Sequence, residues 1–430
     1  MKKFIFIIFI LLLFVPMFFQ IIGYKQGALG GHYQKAEYYL LTLKRFTKLE
    51  YQKKLERYLK QETGFADVFI RFSNQLRFSL LSSSSVYNVI VGKNNYLYTN
   101  SYIYSYYGID YQGEENINLV VDKLAQIRDT LKVKGVDLVF LMAPGKGTCY
   151  PEYFPYRYAR LKPKTTNYQT YIKAFNKYNI DCLDFNSWLC SARDTASYRL
   201  YSNTSVHWGK YACYLAVDSL IKYLDLKYSI DLPKIRLKSI TESNIMYDSD
   251  DDVEKMMNVL ENIPDEPMPK IDIDFDTLNK DKLRVLTIGD SYFFGLNDFG
   301  LLKTIFYKSE FWYYFDEVRR SEYEYILVSE YEDIKKEIEK NKLLLIIFTE
   351  ANLHTTPKEN IEELYYIYCA KPTYKLELER HKERFKNQIK KDKNWLKFVQ
   401  EKADKKDISI DKAIDEDAEY MAKEYLKDKF

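Results

Sequence analysis

Apolar runs of strand length recur along this 430-residue chain, with helical stretches between them. Residues 117–134 form a helical pattern, with Leu119, Val121, Leu124, Ile127 and Leu131 at helical spacing. A strand at 136–142 follows, broken by Ala143-Pro144-Gly145-Lys146-Gly147. Residues 167–178 read as helix, 182–185 as a short strand and 210–223 as helix. The alternation resumes with strand 283–288, helix 301–307, strand 325–328, helix 333–340 and strand 343–348. Strands apolar on both faces that alternate with helices predict an α/β fold with a mostly parallel sheet covered on each side. A separate hairpin is expected from 87–90 and 96–98, joined through Gly92-Lys93-Asn94-Asn95.

The N-terminus sets a second constraint. After Lys2 and Lys3, residues 4–22 contain one polar side chain, Gln20. As a helix this stretch would be about 28 Å long, close to the hydrocarbon thickness of a bilayer. A cleaved signal peptide would have a shorter apolar core and a small-residue cleavage site. Residues 1–23 are therefore expected to be a transmembrane anchor, and the two lysines predict a cytoplasmic N-terminus. Residues 24–60 read as a membrane-proximal segment, with one helix, or two, over 34–61. Residues 61–373 would form the main domain, with a surface excursion at about 229–280, and 374–430 a charged helical tail. The cluster Asp248, Asp250, Asp251 and Asp252, followed by three prolines, is read as solvated loop; it lacks the glycine and spacing of a calcium loop.

Composition narrows the function classes. Lys and Arg number 64 against 61 Asp and Glu, a balance that gives no basic excess for nucleic-acid binding. Five cysteines leave at least one unpaired and show no CxxC spacing of a zinc site; a Cys182–Cys190 bridge is one pairing an oxidising compartment would permit. Tyrosine is abundant, 41 residues, but spread along the whole chain. That spread argues for packed rings with hydrated hydroxyls rather than one sugar-stacking surface. Histidine is scarce: His32, His207, His354 and His381 are the four.

The strand at 283–288 ends in Gly289-Asp290-Ser291, with Gly295 four residues after the serine. A serine at the carboxyl end of a parallel strand, where a helix opens, is exposed at the ligand-binding edge of the sheet. Backbone N–H groups of the helix start can hold an oxyanion there. Ser291 as a plain helix N-cap is the other reading. A nucleophilic serine needs a base. His207, in a polar loop before Trp208 and a helix, is the candidate; a structural histidine packed on Trp208 is the alternative. His354 follows the strand 343–348, His381 lies in the charged tail and His32 near the membrane.

These residues resemble a known family. Gly289-Asp290-Ser291 with Gly295 resembles the nucleophile block of SGNH hydrolases. His207-Trp208 placed before the serine resembles their permuted branch, the periplasmic alginate O-acetyltransferases and related membrane-anchored proteins of polysaccharide O-acetylation. Glu62 to Asp67 with Arg71, Asn74 and Gln75, then Val91-Gly92-Lys93, is similar to that family's opening. Pro144-Gly145-Lys146 with Tyr150-Pro151-Glu152-Tyr153, and Thr349 to Leu353, are similar to later blocks, and the helical tail resembles that of Bacteroidetes members.

The resemblance implies an SGNH-type three-layer fold. It also implies Ser291 as nucleophile and His207 as base, with Ser291, Asn352, Gly295 and Lys146 about the oxyanion or substrate. No metal or cofactor is implied. The implied partners are a polysaccharide acceptor and a multi-pass membrane O-acyltransferase, with the catalytic domain periplasmic and tethered to the inner membrane. Ser205 occupies the position where the alginate proteins carry the aspartate that orients the histidine. Either a His207–Ser291 dyad operates or another carboxylate serves, with Asp184, Asp290 and Glu350 as candidates. An esterase of the same fold and a non-catalytic glycan-binding or assembly protein are the other functions compatible with these residues.

Overall fold

The computed structural model describes residues 2–23, 29–30, 38, 49–62, 66–247, 249–319, 325–331, 333–370, 373–406 and 408–427. Eleven strands are described in chain order: β1 (Val89–Val91), β2 (Leu97–Thr99), β3 (Asp137–Ala143), β4 (Cys182–Asp184), β5 (Lys234–Ser243), β6 (Met268–Asp276), β7 (Val285–Gly289), β8 (Glu310–Tyr313), β9 (Glu317–Arg319), β10 (Tyr325–Leu327) and β11 (Leu343–Thr349). Seven of them form one sheet in the order β10-β9-β8-β7-β11-β3-β4.

The centre of that sheet follows from its composition. All seven residues of β11 are buried, Leu343 to Thr349. Successive side chains of a strand point to opposite faces. Leu345 and Ile347 accordingly join one core with Val139 and Leu141 of β3 and Val285 of β7. Leu344, Ile346 and Phe348 join a second core with Phe140, Met142, Leu286 and Ile288. The first core is closed by the helix Lys210–Tyr228 through Ala216, Val217, Leu220 and Leu224. The second is closed by the helices Glu114–Val133, Asn167–Tyr178 and Thr356–Tyr368. Full burial of one such aliphatic side chain stabilises by about 1.5–3 kcal/mol, so two cores on one strand fix its place in the middle.

The four pairings from β8 through β4 are parallel. The edge is not: β9 runs antiparallel to β8, and β10 antiparallel to β9. The sheet is therefore mixed. β8 and β9 are four and three residues long, too short for a periodic signal. The expected helix over 301–307 is a single π turn, Leu301–Ile305, bounded by Gly300 in the left-handed region and extended Phe306. The expected hairpin is present as antiparallel β1 and β2, with Asn94 and Asn95 at positive φ in the turn.

The stretch read as a surface excursion is a larger departure. It contains the long antiparallel pair β5–β6 and the helix Asp252–Met257. Val253, Met257, Val259 and Ile263 are buried in the first core. Prolines and acidic residues mask those apolar anchors in the sequence.

The tail folds as helices Tyr374–Lys391, Lys393–Lys406 and Ile410–Leu426 around Ile389, Val399, Ala403, Ala413, Ile414 and Ala418. Of the expected helix over 34–61, Leu49–Glu62 is helical, and most of the rest, like His32, lies outside the described residues. The N-terminal helix is Lys2–Ile21. Among the described residues no helix is long and apolar enough to cross a membrane, and about half the side chains of Lys2–Ile21 lie outside that description.

Candidate active site

The parallel strands β7, β11 and β3 end side by side, and the turns after them build one edge of the sheet. At Gly289 a Cβ would lie 2.2 Å from the Ile347 carbonyl oxygen, so only glycine lets β7 end this close to β11. The next residue bolts the two strand ends together. Asp290 is fully buried. Its carboxylate accepts the Tyr292 N–H at 3.1 Å, the Thr349 N–H at 2.7 Å and the Asn352 amide at 2.9 Å. Burial pushes its pKa up, against those three donors.

Ser291 then opens the helix Tyr292–Asn297 without using its side chain as a cap. Its Oγ is 2.8 Å from His207 Nε2. The plain N-cap reading of the serine is thereby excluded.

His207 is carried by a loop, Ser202 to Val206, that is buried throughout. The loop's polar groups are met from several sides. Thr204 Oγ1 donates to the Asp250 carbonyl at 3.1 Å, as does the Ser202 hydroxyl. Asp265 accepts the Asn203 N–H at 2.8 Å, and Thr204 O accepts the Glu254 N–H at 3.3 Å. Trp208 is buried, and its indole N–H donates to Tyr292 O at 3.1 Å. The serine helix and the histidine loop are thus tied directly. Gly295 permits the approach: a Cβ there would lie 2.7 Å from Cys213 Sγ and 3.0 Å from Trp208 Nε1.

A carboxylate from the stretch read as solvated loop meets the other ring nitrogen of His207. Asp252 Oδ2 lies 2.5 Å from His207 Nδ1. Its Oδ1 accepts the Val206 N–H at 3.2 Å, and the Ser205 hydroxyl also hydrogen-bonds its carboxylate. Ser205 Oγ in turn accepts the His207 N–H at 2.9 Å. Ser205 therefore does not leave the aspartate site empty; it helps hold a carboxylate delivered from 45 residues downstream. The sequence signal was Asp252 itself, but nothing local tied one aspartate of an acidic cluster to a distant histidine.

The three candidates named for this role do other things. Asp184 caps its own helix through the Ser187 N–H and accepts the Tyr168 hydroxyl at 2.7 Å. Asp290 joins strand ends, as above. Glu350 is buried against Gly145, with its pKa pushed up to about 7 by burial.

The electrostatics fit a base held by an anion. Burial draws the His207 pKa down, but the Asp252 hydrogen bond and charge, with Asp290's charge, outweigh it and the net shift is upward. Burial pushes Asp252 up, but His207, the Ser205 hydroxyl and the Val206 N–H bring it below the ordinary carboxylate value. The other described histidines lie elsewhere: His354 Nδ1 is 3.1 Å from Ala351 O, and His381 pairs with Glu377 at 3.4 Å.

A cavity of about 530 Å³ opens onto Ser291, His207 and Asp252. Trp208, Phe294, Leu302 and Phe311 form its apolar wall, and Gly295 also lines it. Lys303 and Arg319 border it, the latter paired to Glu317 at 2.5 Å. Asn352 and Lys146, both expected at the substrate, are not among its lining. Asn352 is spent on Asp290. Lys146 is fully buried and points into the protein, where its ammonium meets backbone carbonyls. Among the described residues no group of three or more His, Cys, Asp or Glu side chains is placed to hold a metal.

One further expectation changes. The disulfide joins Cys149 to Cys190, not Cys182 to Cys190, because Cys149 follows the turn after β3 and faces the helix Phe185–Ala192. Three tyrosines about the site have hydroxyls bonded to protein. Tyr292 donates to Val206 O at 2.6 Å and contacts Tyr102 OH at 2.8 Å, and Tyr201 donates to Pro144 O at 2.9 Å.

Residues 89–251 match the SGNH hydrolase-like domain of acetyltransferase AlgX. The matched segment carries β1, β3 and His207 and stops one residue short of Asp252. No curated protein matches the sequence at a significant level. Among solved structures, the O-acetyltransferase domain of Pseudomonas putida AlgJ is 14% identical, with 65% of this chain and 98% of that one covered at a TM-score of 0.43. Pseudomonas aeruginosa AlgX is 13% identical, with 66% and 68% covered at 0.44. Bacillus cereus PatB1 is 11% identical, with 63% and 99% covered at 0.39. The resemblance to SGNH-type O-acetyltransferases rests on the matched segment, residues 89–251.

Proposed function

We propose that this chain is an O-acetyltransferase that moves acetyl groups to hydroxyls of a cell-surface polysaccharide through an acyl-serine. The observation that carries the reading is the line of contacts Asp252–His207–Ser291, at 2.5 and 2.8 Å, opening on one cavity. A carboxylate, an imidazole and a hydroxyl in this order make a nucleophile.

In the first half-reaction His207 Nε2 takes the Ser291 hydroxyl proton while Oγ attacks the carbonyl carbon of an acetyl donor. Asp252 holds the imidazole in the tautomer that leaves Nε2 free to accept, and stabilises the imidazolium. The oxyanion forms beside the Ser291 N–H at the helix start. Collapse breaks the bond to the donor's leaving group, which takes the proton from His207. In the second half-reaction a sugar hydroxyl gives its proton to His207 and attacks the acyl carbon. Ser291 leaves and recovers the proton, and the acetylated sugar departs.

Membrane anchoring belongs to the same proposal. The nineteen near-uniformly apolar residues at 4–22 support a single-pass anchor in the inner membrane with the domain outside it. The Cys149–Cys190 disulfide supports an oxidising compartment. A tether keeps the site near a membrane-embedded acyl donor, for which the family implies a multi-pass O-acyltransferase partner. An esterase would use the same acyl-enzyme with water as acceptor. The purified protein is tested with an activated acetyl ester and oligosaccharide acceptors. Acetyl transfer to sugar supports the reading; release of free acetate alone, at all acceptor concentrations, supports the esterase.

A further inference from the structure

A buried lysine without a carboxylate contact is expensive, because desolvation of an ammonium must be met by other groups. Among the described residues, Lys146 is such a residue. It is 0% exposed, and its Nζ donates to three backbone carbonyls: Leu97 O at 3.0 Å, Asn203 O at 2.7 Å and Ser205 O at 2.5 Å. The rings of Tyr96 and Tyr98 lie 5.3 Å away and add cation–π attraction. Two of the three acceptors belong to the loop that carries His207.

The opposite groups of that loop go to anions. Asp265 takes the Asn203 N–H and Asp252 takes the Val206 N–H. The loop is therefore gripped by its carbonyls from one side and by its N–H groups from the other. The Asn203 carbonyl also accepts the Leu97 N–H at 2.7 Å, which fixes the loop to β2.

The turn that aims the lysine is itself rigid. A Cβ at Gly145 would sit 2.5 Å from Glu350 Oε2, and one at Gly147 would sit 2.2 Å from Tyr102 O. The Gly145 N–H donates to Asn186 Oδ1 at 2.9 Å, and Cys149 is bonded to Cys190.

We infer that Lys146 is a positioning residue: its ammonium, held by the turn after β3, clamps the Asn203 and Ser205 carbonyls and so sets His207 against both Ser291 and Asp252. The inference rests on His207 being the base of the proposed reaction. Lys146 touches neither substrate nor reacting atoms. Its effect reaches the chemistry through the Ser205 side of the loop, where the same residue hydrogen-bonds Asp252 and the His207 N–H.

The test uses the full chain in detergent, hydrolysing p-nitrophenyl acetate, with Ser291→Ala and His207→Ala beside Lys146→Met. Loss of activity in the first two establishes the reading on which the inference depends; full activity in them overturns that reading and the inference with it. Given their loss, Lys146→Met is expected to lower kcat by at least about tenfold at a KM within about twofold. The acidic limb of its pH–kcat profile is expected to be displaced, because Lys146, brought down to about 7 by burial, titrates in that range and interacts with the Asp252 charge, and a loosened loop alters the Asp252 contact that holds the His207 pKa up. A merely structural lysine would lower thermal stability but leave kcat per active site and the limb unmoved, and that result overturns the inference. If Lys146→Met does not fold, Lys146→Gln, which removes the charge and cannot reach all three carbonyls, is read the same way: a lowered kcat with a displaced limb supports the clamp, and an unmoved limb overturns it.

Discussion

His207 Nδ1 and Asp252 Oδ2 are 2.5 Å apart although 45 residues separate them in the chain. The aspartate opens the short helix Asp252–Met257, whose Val253 and Met257 are buried in the core below the site. The contact is therefore set by packing of that helix rather than by a local turn.

Asp252→Asn keeps the shape but removes the charge and favours the wrong imidazole tautomer. Loss of the orienting aspartate's charge in a serine triad costs about 10⁴ in kcat. Burial, which lowers the His207 pKa, would then act with less opposition. The acidic limb of kcat, set by neutral imidazole as base, is expected to fall to lower pH than in the native protein. The measurement is kcat against pH with an activated ester. A limb at its native position would remove Asp252 from the mechanism. The linked stability effect has a definite sign: a folded-state pKa above the unfolded value of about 6.5 stabilises below that pH, and the contribution is lost as pH rises through the folded value.

Moving the carboxylate gives a second test. Ser205 already contacts both the His207 N–H and the Asp252 carboxylate. In Asp252→Ala, adding Ser205→Asp is expected to restore at least about tenfold in kcat over the single variant. No gain in a folded double variant would mean that position 205 cannot serve His207 in this chain.

The two glycines of the nucleophile block should differ in cost. At Gly295 a new methyl meets Cys213 Sγ and Trp208 Nε1, side-chain atoms with some freedom. Gly295→Ala is expected to destabilise by about 1–3 kcal/mol by overpacking. At Gly289 it meets the Ile347 carbonyl at 2.2 Å, in the backbone of the central strand. Gly289→Ala should be the more damaging of the two in denaturant melts, and the reverse order would contradict the packing described.

The Cys149–Cys190 bridge spans a sequence separation of 41. On loop-closure grounds its removal by paired Cys→Ala substitution should cost about 2–4 kcal/mol. Thermal melts with and without reductant check this; a melt insensitive to both would place the thiols apart in solution.

How far the sequence could be read follows from where the information sits. β3, β7 and β11 were legible because strands in the middle of a sheet are apolar on both faces. Ser291 and His207 were legible because each lies in a short local motif, and four histidines left few rivals. β8 and β9 escaped because three or four residues on a sheet edge carry no period. Asp252 and Lys146 escaped for different reasons. A charged side chain in a Pro- and Asp-rich stretch reads as solvated, and the family resemblance placed the lysine at the substrate. Only the fold reveals that one meets an imidazole and the other three buried carbonyls.

The central claim is that Ser291 becomes acylated. Intact-protein and peptide mass spectrometry after brief exposure to an activated acetyl ester tests it most directly. The expected result is one added acetyl group on the peptide containing Ser291, absent in Ser291→Ala and strongly reduced in His207→Ala. A folded protein that neither acquires the adduct nor turns over the ester would contradict the account.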